Sequence, residues 1–349
     1  MRYSPPELRM GAHTADRSGP RRITFVTSPD DCNLACLMCR EHSPFATRAR
    51  ETPPRRLPVE LVERVLAERA GSPLAEVIPS TKGEPLLWDG LERLAELCGD
   101  LGLALNVTTN GTFPGRGGAG WAELLAPVAR DVKISWNGIT AETATRIMGG
   151  LRLERALHEV RAFLWARDAR RAAGRPACRV SFQVTAQEAN VAELPELVRL
   201  AAELGVERVK VNQLQVHFAE LAGQDLRRDP GSRARWNGAV EAMRAAATER
   251  PLPSGQPVLL ENVEPWPEAG DPPFGPCPFL GHEAWVTADG RFAPCPAPAG
   301  QDGALGDFGS LRERTMGAIW ASDEYRALAR AHEGRPECRR CPLRRVGGY

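Results

Sequence analysis

The 349-residue chain predicts an α/β protein, a partial (βα)6 TIM-like barrel followed by a small cysteine-bearing domain. Three observations predict it. From about residue 20 to 250, short strand-type runs alternate with stretches whose apolar residues recur every three or four positions, as in parallel strands joined by helical crossovers. Residues 251–276 are dense in Pro and Gly and read as a linker. Seven of the nine cysteines fall into two groups, one towards each end of the chain. The expected division is therefore an N-terminal extension over 1–19, a barrel over 20–250, the linker, and a cysteine domain over 277–349.

In chain order, the expected strands are Ile23–Ser28, Glu76–Pro79, Leu103–Thr108, Asp131–Trp136, Arg179–Thr185 and Arg208–Asn212, with a short Val258–Leu260 inside the linker. Between the second and third strands, Leu91, Leu94, Ala95, Cys98 and Leu101 form one helical stripe. Before the last barrel strand, Leu194, Leu197, Val198, Ala201 and Leu204 form another, and Gly205 follows where a C-cap glycine belongs. Arg167, Arg170 and Arg171 fall late in a helix, where cations favour the dipole, and read as surface charge.

Several strands alternate. Val132, Ile134 and Trp136 face away from Lys133, Ser135 and Asn137, and Val209 and Val211 alternate with Lys210 and Asn212. A parallel strand buried on both faces would be apolar throughout. Helices must cover the apolar face here, so the polar face lines the lumen. Both a ligand cavity and a partly open sheet with a wet inner face satisfy that pattern. A polar lumen is costly unless it solvates a ligand, which favours the cavity. The glycine-rich loop over 111–120 lacks the Gly-Lys-Ser/Thr ending of a phosphate loop.

Hydrophobic residues make up 42% and charged residues 26%, no run of 18 apolar residues exists, and the N-terminus lacks a signal peptide's apolar core. A cytoplasmic protein is expected. The 45 basic and 44 acidic residues nearly cancel, which points to neither a nucleic acid nor a membrane partner. In a reducing compartment, nine cysteines indicate metal binding rather than disulfides.

Cys32, Cys36 and Cys39 are spaced x3 and x2. Soft thiolates at this spacing suit a 4Fe–4S cluster held by three irons, with the fourth left open for a ligand. Cys36 and Cys39 alone would equally suit a redox dithiol or half of a zinc site. Cys277, Cys295, Cys338 and Cys341 form the second set, with Cys295 closing an expected hairpin over Trp285–Ala293 turned by Asp289-Gly290. Four thiolates suit a structural zinc or a second cluster. Cys98 and Cys178 remain as core thiols.

The CxxxCxxC run resembles the defining motif of the radical S-adenosylmethionine (SAM) enzymes. That resemblance implies that SAM chelates the open iron and is reductively cleaved to a 5′-deoxyadenosyl radical, with an electron donor such as a flavodoxin or ferredoxin. Lys82-Gly83-Glu84-Pro85 resembles the family's Gly-Gly-Glu-Pro motif with Lys82 in place of the first glycine, which implies that Gly83, Glu84 and Pro85 meet the methionine amino group. By the same resemblance Thr109 and Asn110 end a SAM-facing strand, Ser135 meets the carboxylate or ribose, and the Met38 backbone meets the adenine. The tail resembles the SPASM and twitch domains of these enzymes. A full SPASM domain uses seven cysteines, so four imply one auxiliary 4Fe–4S cluster of the twitch type.

The tail spacing is similar to that of twitch enzymes of antibiotic biosynthesis that act on aminocyclitols, sugars or sugar nucleosides. The expected substrate is therefore a small polyhydroxylated molecule, attacked at a carbinol carbon and then dehydrogenated (an oxidoreductase) or dehydrated (a lyase). Glu188, at a raised pKa, is the expected base, with Lys210 beside it; Asn190, Asn212 and Gln213 are expected to hold the substrate. The alternative is a maturase that crosslinks or epimerises a ribosomal peptide, which the short lead before the first strand disfavours. A non-catalytic iron–sulfur carrier would leave the polar lumen unexplained.

Overall fold

The computed structural model describes residues 18–47, 53–68, 70–79, 82–267 and 274–344; most of the expected N-terminal extension lies outside them. Eleven strands occur among the described residues: β1 (Arg22–Phe25), β2 (Ala35–Cys36), β3 (Glu76–Pro79), β4 (Ala104–Thr109), β5 (Ala129–Ser135), β6 (Met148–Gly149), β7 (Arg179–Ala186), β8 (Arg208–Gln213), β9 (Leu259–Glu261), β10 (Glu283–Val286) and β11 (Phe292–Ala293). Nine of them form one sheet in the order β11-β10-β1-β3-β4-β5-β7-β8-β9, parallel except for the β10–β11 hairpin. The crossovers are α1 (Val59–Ala67), α2 (Leu91–Asp100), α3 (Gly117–Leu125), α4 (Ala141–Ile147), α5 (Leu153–Ala172), α6 (Leu194–Leu204) and α7 (Pro230–Glu249). Six βα units thus form a partial barrel, as the periodicity predicts. Four short helices follow in the tail: α8 (Pro298–Gln301), α9 (Met316–Trp320), α10 (Asp323–Ala331) and α11 (Pro336–Arg339).

Alternation has its expected consequence. Val132, Ile134, Val180, Phe182, Val209 and Val211 are fully buried in the core beneath the helices. Lys133, Ser135, Gln183 and Lys210, on the opposite face of the same strands, keep partial exposure. Gly205 caps α6 in the left-handed region at φ +77°. Arg167 departs from the expectation of surface charge. It is 1% exposed and pairs with Glu207 at 2.8 Å and Asp168 at 2.7 Å, fastening α5 beneath the β7–β8 edge.

The amino ends of the strands close the lumen with a buried ionic network. Arg22 bridges Glu76 at 3.0 Å and Glu283 at 3.2 Å, and Thr24 donates to Glu283 at 2.8 Å. Asp131, 2% exposed, accepts from Arg208 and from Ser181, and Arg208 continues to Glu261 at 2.6 Å.

The hairpin expected in the cysteine tail does more than carry Cys295. Its first strand, β10, pairs in parallel with β1, Thr24 opposite Trp285, so the tail extends the barrel wall. Val26, Trp285 and Ala293 form an apolar cluster separate from the main core. No helix among the described residues is long and apolar enough to cross a membrane.

Candidate active site

The first three cysteines sit on the loop that leaves β1. Its course is set by β2, which pairs antiparallel with β6, Cys36 opposite Met148, and by the Leu37 N–H donating to Ile147 O at 2.9 Å. Gly149 permits that pairing, since a Cβ there would stand 2.7 Å from Ala35 O. Donors reach the sulfurs, among them Asn110 Nδ2 to Cys32 at 3.9 Å and the His42 N–H to Cys39 at 3.4 Å. Burial pushes the Cys32 thiol up to about 11, and Cys36 and Cys39 rise for the same reason, with Cys36 raised further by its two neighbouring thiols.

Gly83 locks the next motif against this loop. At φ +73°, its missing Cβ would stand 2.1 Å from Ser28 O and 2.6 Å from Asp31 O, and the Glu84 N–H donates to Asp31 O at 2.8 Å. Lys82, where the family motif has a glycine, reaches Glu41 of the cysteine loop at 3.3 Å. Gly83→Ala is expected to displace the loop and lower the melting temperature well beyond Gly102→Ala, where φ is +64° but a Cβ meets nothing within 4 Å. Equal melting shifts would remove this role from Gly83.

Glu84 is 1% exposed, and its carboxylate accepts from Thr109 Oγ1 at 2.8 Å, the Asn110 N–H at 2.7 Å and the Leu86 N–H at 3.1 Å. Burial pushes the carboxyl up to about 7 in spite of these bonds. All three donors are neutral, so the place fits an ammonium group. Asn110 clamps the cysteine loop from the other side through Asn33 Oδ1 at 2.8 Å. Met38 packs half-buried against the core, Pro85 is buried, and Ser135 ends β5 on the lumen face. The structure therefore brings Gly83, Glu84, Pro85, Thr109 and Asn110 together beside Cys32.

The residues expected to act on a substrate fare differently. Glu188 does not have the raised pKa expected of a base. Partial burial pushes it up, but hydrogen bonds from Arg235 at 2.8 Å, Ser232 and Arg228 at 2.9 Å outweigh that and hold it below the carboxylate range. Glu188→Gln should cost about 1 kcal/mol or less and leave 5′-deoxyadenosine formation intact, read by thermal melting and chromatography; a loss of that product would return Glu188 to the chemistry. Asn190 is 1% exposed and consumed internally, donating to Asn137 O and Thr185 O at 3.0 Å and accepting from the Gln187 N–H at 2.9 Å. It closes its own loop and presents nothing to a ligand. Gln213 is 6% exposed, on the same side of β8 as the core-facing Val209 and Val211. Lys210 pairs with Glu261 at 3.1 Å, and Asn212, on the lumen face, has a buried Oδ1 with no partner.

In the tail, Cys277, Cys295, Cys338 and Cys341 line one small cavity with Phe279, Leu280 and Ala297. Cys295 follows β11 and Cys338 lies on α11. Burial pushes Cys295 up to about 12 and Cys338 to about 11, with neighbouring thiols adding to each. Four thiols in an apolar pocket form the soft donor set an iron–sulfur cluster needs. No three His, Cys, Asp or Glu side chains among the described residues converge on a single ion. Arg40 ties the first cysteine loop to the tail through Asp302 at 2.7 Å. Beside that bridge lies a cleft of about 430 Å³, bounded by Val26, Glu41, Lys82, Asp289, Arg291 and Asp302.

Comparison with known proteins agrees with this geometry. The radical SAM superfamily profile matches residues 26–164, and the profile of the SPASM iron–sulfur cluster-binding domain matches 277–342. The chain carries a radical SAM domain joined to a SPASM domain. Its cofactors are accordingly SAM, a SAM-binding 4Fe–4S cluster and an auxiliary cluster. Among curated relatives, the PqqA peptide cyclase of Xanthomonas campestris pv. campestris strain 8004 is 28% identical over 76% of this chain; the match spans 65% of that protein's length. The PqqA peptide cyclase of Rhizobium meliloti strain 1021 is 26% identical over 96% of this chain and 83% of its own. SuiB of Streptococcus suis, solved with S-adenosylmethionine, shares the fold at a TM-score of 0.66 and 19% identity over 94% of this chain and 72% of its own; another SuiB structure holds the precursor peptide SuiA.

These relatives overturn the small polyhydroxylated substrate. The curated relatives are PqqA peptide cyclases, so the carbinol oxidation or dehydration and the place in antibiotic biosynthesis expected from the tail spacing lose their support with it. Tail spacing reflects how one cluster is held, not what enters the lumen.

Proposed function

We propose that this protein is a radical SAM maturase that forms a crosslink within a peptide. One observation carries that reading: the proteins matched over 76% and 96% of the chain are PqqA peptide cyclases. In this reading Cys32, Cys36 and Cys39 hold the SAM-binding cluster, and Cys277, Cys295, Cys338 and Cys341 hold one auxiliary cluster, the twitch arrangement. Glu84 takes the methionine ammonium, while Thr109 and Asn110 hold Glu84 in place, Gly83 and Pro85 shape its turn, and Ser135 and the Met38 backbone complete the pocket. When bound, the cluster and SAM supply the electron and the 5′-deoxyadenosyl group that remove a hydrogen atom from an unactivated C–H bond. In this reading the cleft beside the Arg40–Asp302 bridge, lined by residues of the cysteine loop and of the tail, receives part of the peptide.

The test is anaerobic incubation with SAM, reductant and short peptides encoded beside the gene, followed by mass spectrometry. A product lighter by two hydrogens is expected. An unchanged mass in ordinary water, with one deuterium gained when the reaction is run in heavy water, would mean epimerisation instead. Unmodified peptides alongside steady 5′-deoxyadenosine release would remove the peptide reading.

A further inference from the structure

Of the 45 Lys and Arg residues, only three are lysines: Lys82, Lys133 and Lys210. All three lie at the site. Lys82 adjoins Gly83 and Glu84, while Lys133 and Lys210 project from β5 and β8 on the lumen face. Arginine is a permanently charged planar fork; lysine is a compact charge that sheds its proton when desolvated. A chain that uses arginine everywhere else thus places lysine only where a mobile point charge faces the reaction chamber.

The lumen carboxylates already have partners. Glu76 and Glu283 are held by Arg22, Asp131 by Arg208 and Arg179, and Glu261 by Arg208 and Lys210. Lys133 forms no ion pair with any described residue. Its neighbours in register are the neutral Thr108 and Ser181. It lies two residues before Ser135 on the same face, about 7 Å along the strand from the SAM-facing end. Burial pushes Lys133 down to about 8; Asp131 and Glu76 offset this in part, and Lys210 and Arg208 add to it. Two further groups on the lumen face lack partners, the Trp285 indole N–H and Asn212 Oδ1, a donor and an acceptor of the kind a peptide backbone satisfies.

We propose that Lys133 anchors a carboxylate side chain of the peptide, so that the substrate presents an aspartate or glutamate inside the lumen. This rests on the peptide reading above. A carboxylate there would supply the ion pair that Lys133 lacks and offset the burial that lowers its pKa.

With three lysines in the chain, selective ¹³C-lysine labelling gives a spectrum simple enough to follow each side chain in the cluster-loaded protein, and Lys133→Met assigns the signal. N-acetylglutamate amide, added with SAM present, is expected to raise the Lys133 titration midpoint from about 8 towards the ordinary 10.5, while N-acetylglutamine amide leaves it unchanged. Equal midpoints with the two probes would overturn the proposal. A rise on adding SAM alone, with nothing further from the glutamate probe, would also overturn it and give Lys133 to the SAM carboxylate. In turnover, Lys133→Met should slow peptide modification at least about 30-fold while uncoupled SAM cleavage continues. Replacing the anchored acidic residue by its amide should slow the parent similarly and Lys133→Met no further; independent losses would count against the pairing. If the parent modifies no peptide, the proposed function fails, and the spectroscopic midpoint still decides Lys133.

Discussion

Glu84→Gln should abolish productive SAM binding while leaving the fold in place. The carboxylate is buried and accepts from three neutral donors, and in the proposed reading it pairs with the methionine ammonium of SAM. Removing one member of a buried, hydrogen-bonded charge pair costs about 2–5 kcal/mol, a loss of roughly 30- to 4,000-fold in affinity. The amide also opposes a donor to one of the donors that Glu84 now accepts from, at about 1–3 kcal/mol of stability. Calorimetric titration of the cluster-loaded variant with SAM measures the first effect and thermal melting the second. Parent-like SAM affinity would remove Glu84 from the ammonium site.

The same residue gives SAM binding a pH dependence. An ammonium requires ionised Glu84, and burial pushes that carboxyl up to about 7. SAM affinity should therefore fall as the pH drops through about 7, and Glu84→Gln should flatten that limb. Without SAM the sign reverses. A folded-state pKa above the ordinary 4.5 gives Glu84 a stability contribution that is fully present below 4.5 and lost as the pH rises through about 7.

Asp131→Ala should be the most destabilising change at the closed end of the barrel. Asp131 is 2% exposed and accepts from Arg208, Arg179 and Ser181. Its removal leaves the Arg208 guanidinium, 8% exposed, with Glu261 as its remaining carboxylate. Breaking a buried pair by deleting one partner costs about 3–5 kcal/mol, because a desolvated charge is left uncompensated. Arg130→Ala is the control: its pair with Glu76, at 3.4 Å, is solvent-facing, and about 0–1 kcal/mol is expected. Denaturant melts of the two variants compare them directly. If Asp131→Ala melts with Arg130→Ala, the network does not stabilise the fold.

Much of the site is legible in the sequence. The spacing of Cys32, Cys36 and Cys39, the Gly83-Glu84-Pro85 run and the Cys338-x2-Cys341 pair are short patterns visible along the chain, although Cys277, Cys295 and the partners of Glu84 reach their places only through the fold. Glu188 and Asn190 mislead for the opposite reason. Both are polar residues just past a strand end, where substrate groups often sit, but their partners arrive from elsewhere: Arg228 and Arg235 from α7 and its approach, and Asn137 from the turn after β5. Lys133 draws no notice as one more polar residue on the alternating face of β5. A combined count of Lys and Arg hides its signal, and a count of lysines alone reveals it.

By itself the sequence determined the six βα units, the alternation that leaves a polar lumen, and the two sets of thiols. Each depends on periodicity or spacing along the chain, which hydrophobic burial and ligand chemistry impose residue by residue. Only the tertiary structure decided that β10 completes the wall beside β1, that Arg208 and Asp131 satisfy each other, and that Lys133 is left without an ion pair among the described residues. Those outcomes depend on which charges meet across strands far apart in sequence. Whether a buried charge is neutralised is a property of the whole lumen, and no local pattern records it.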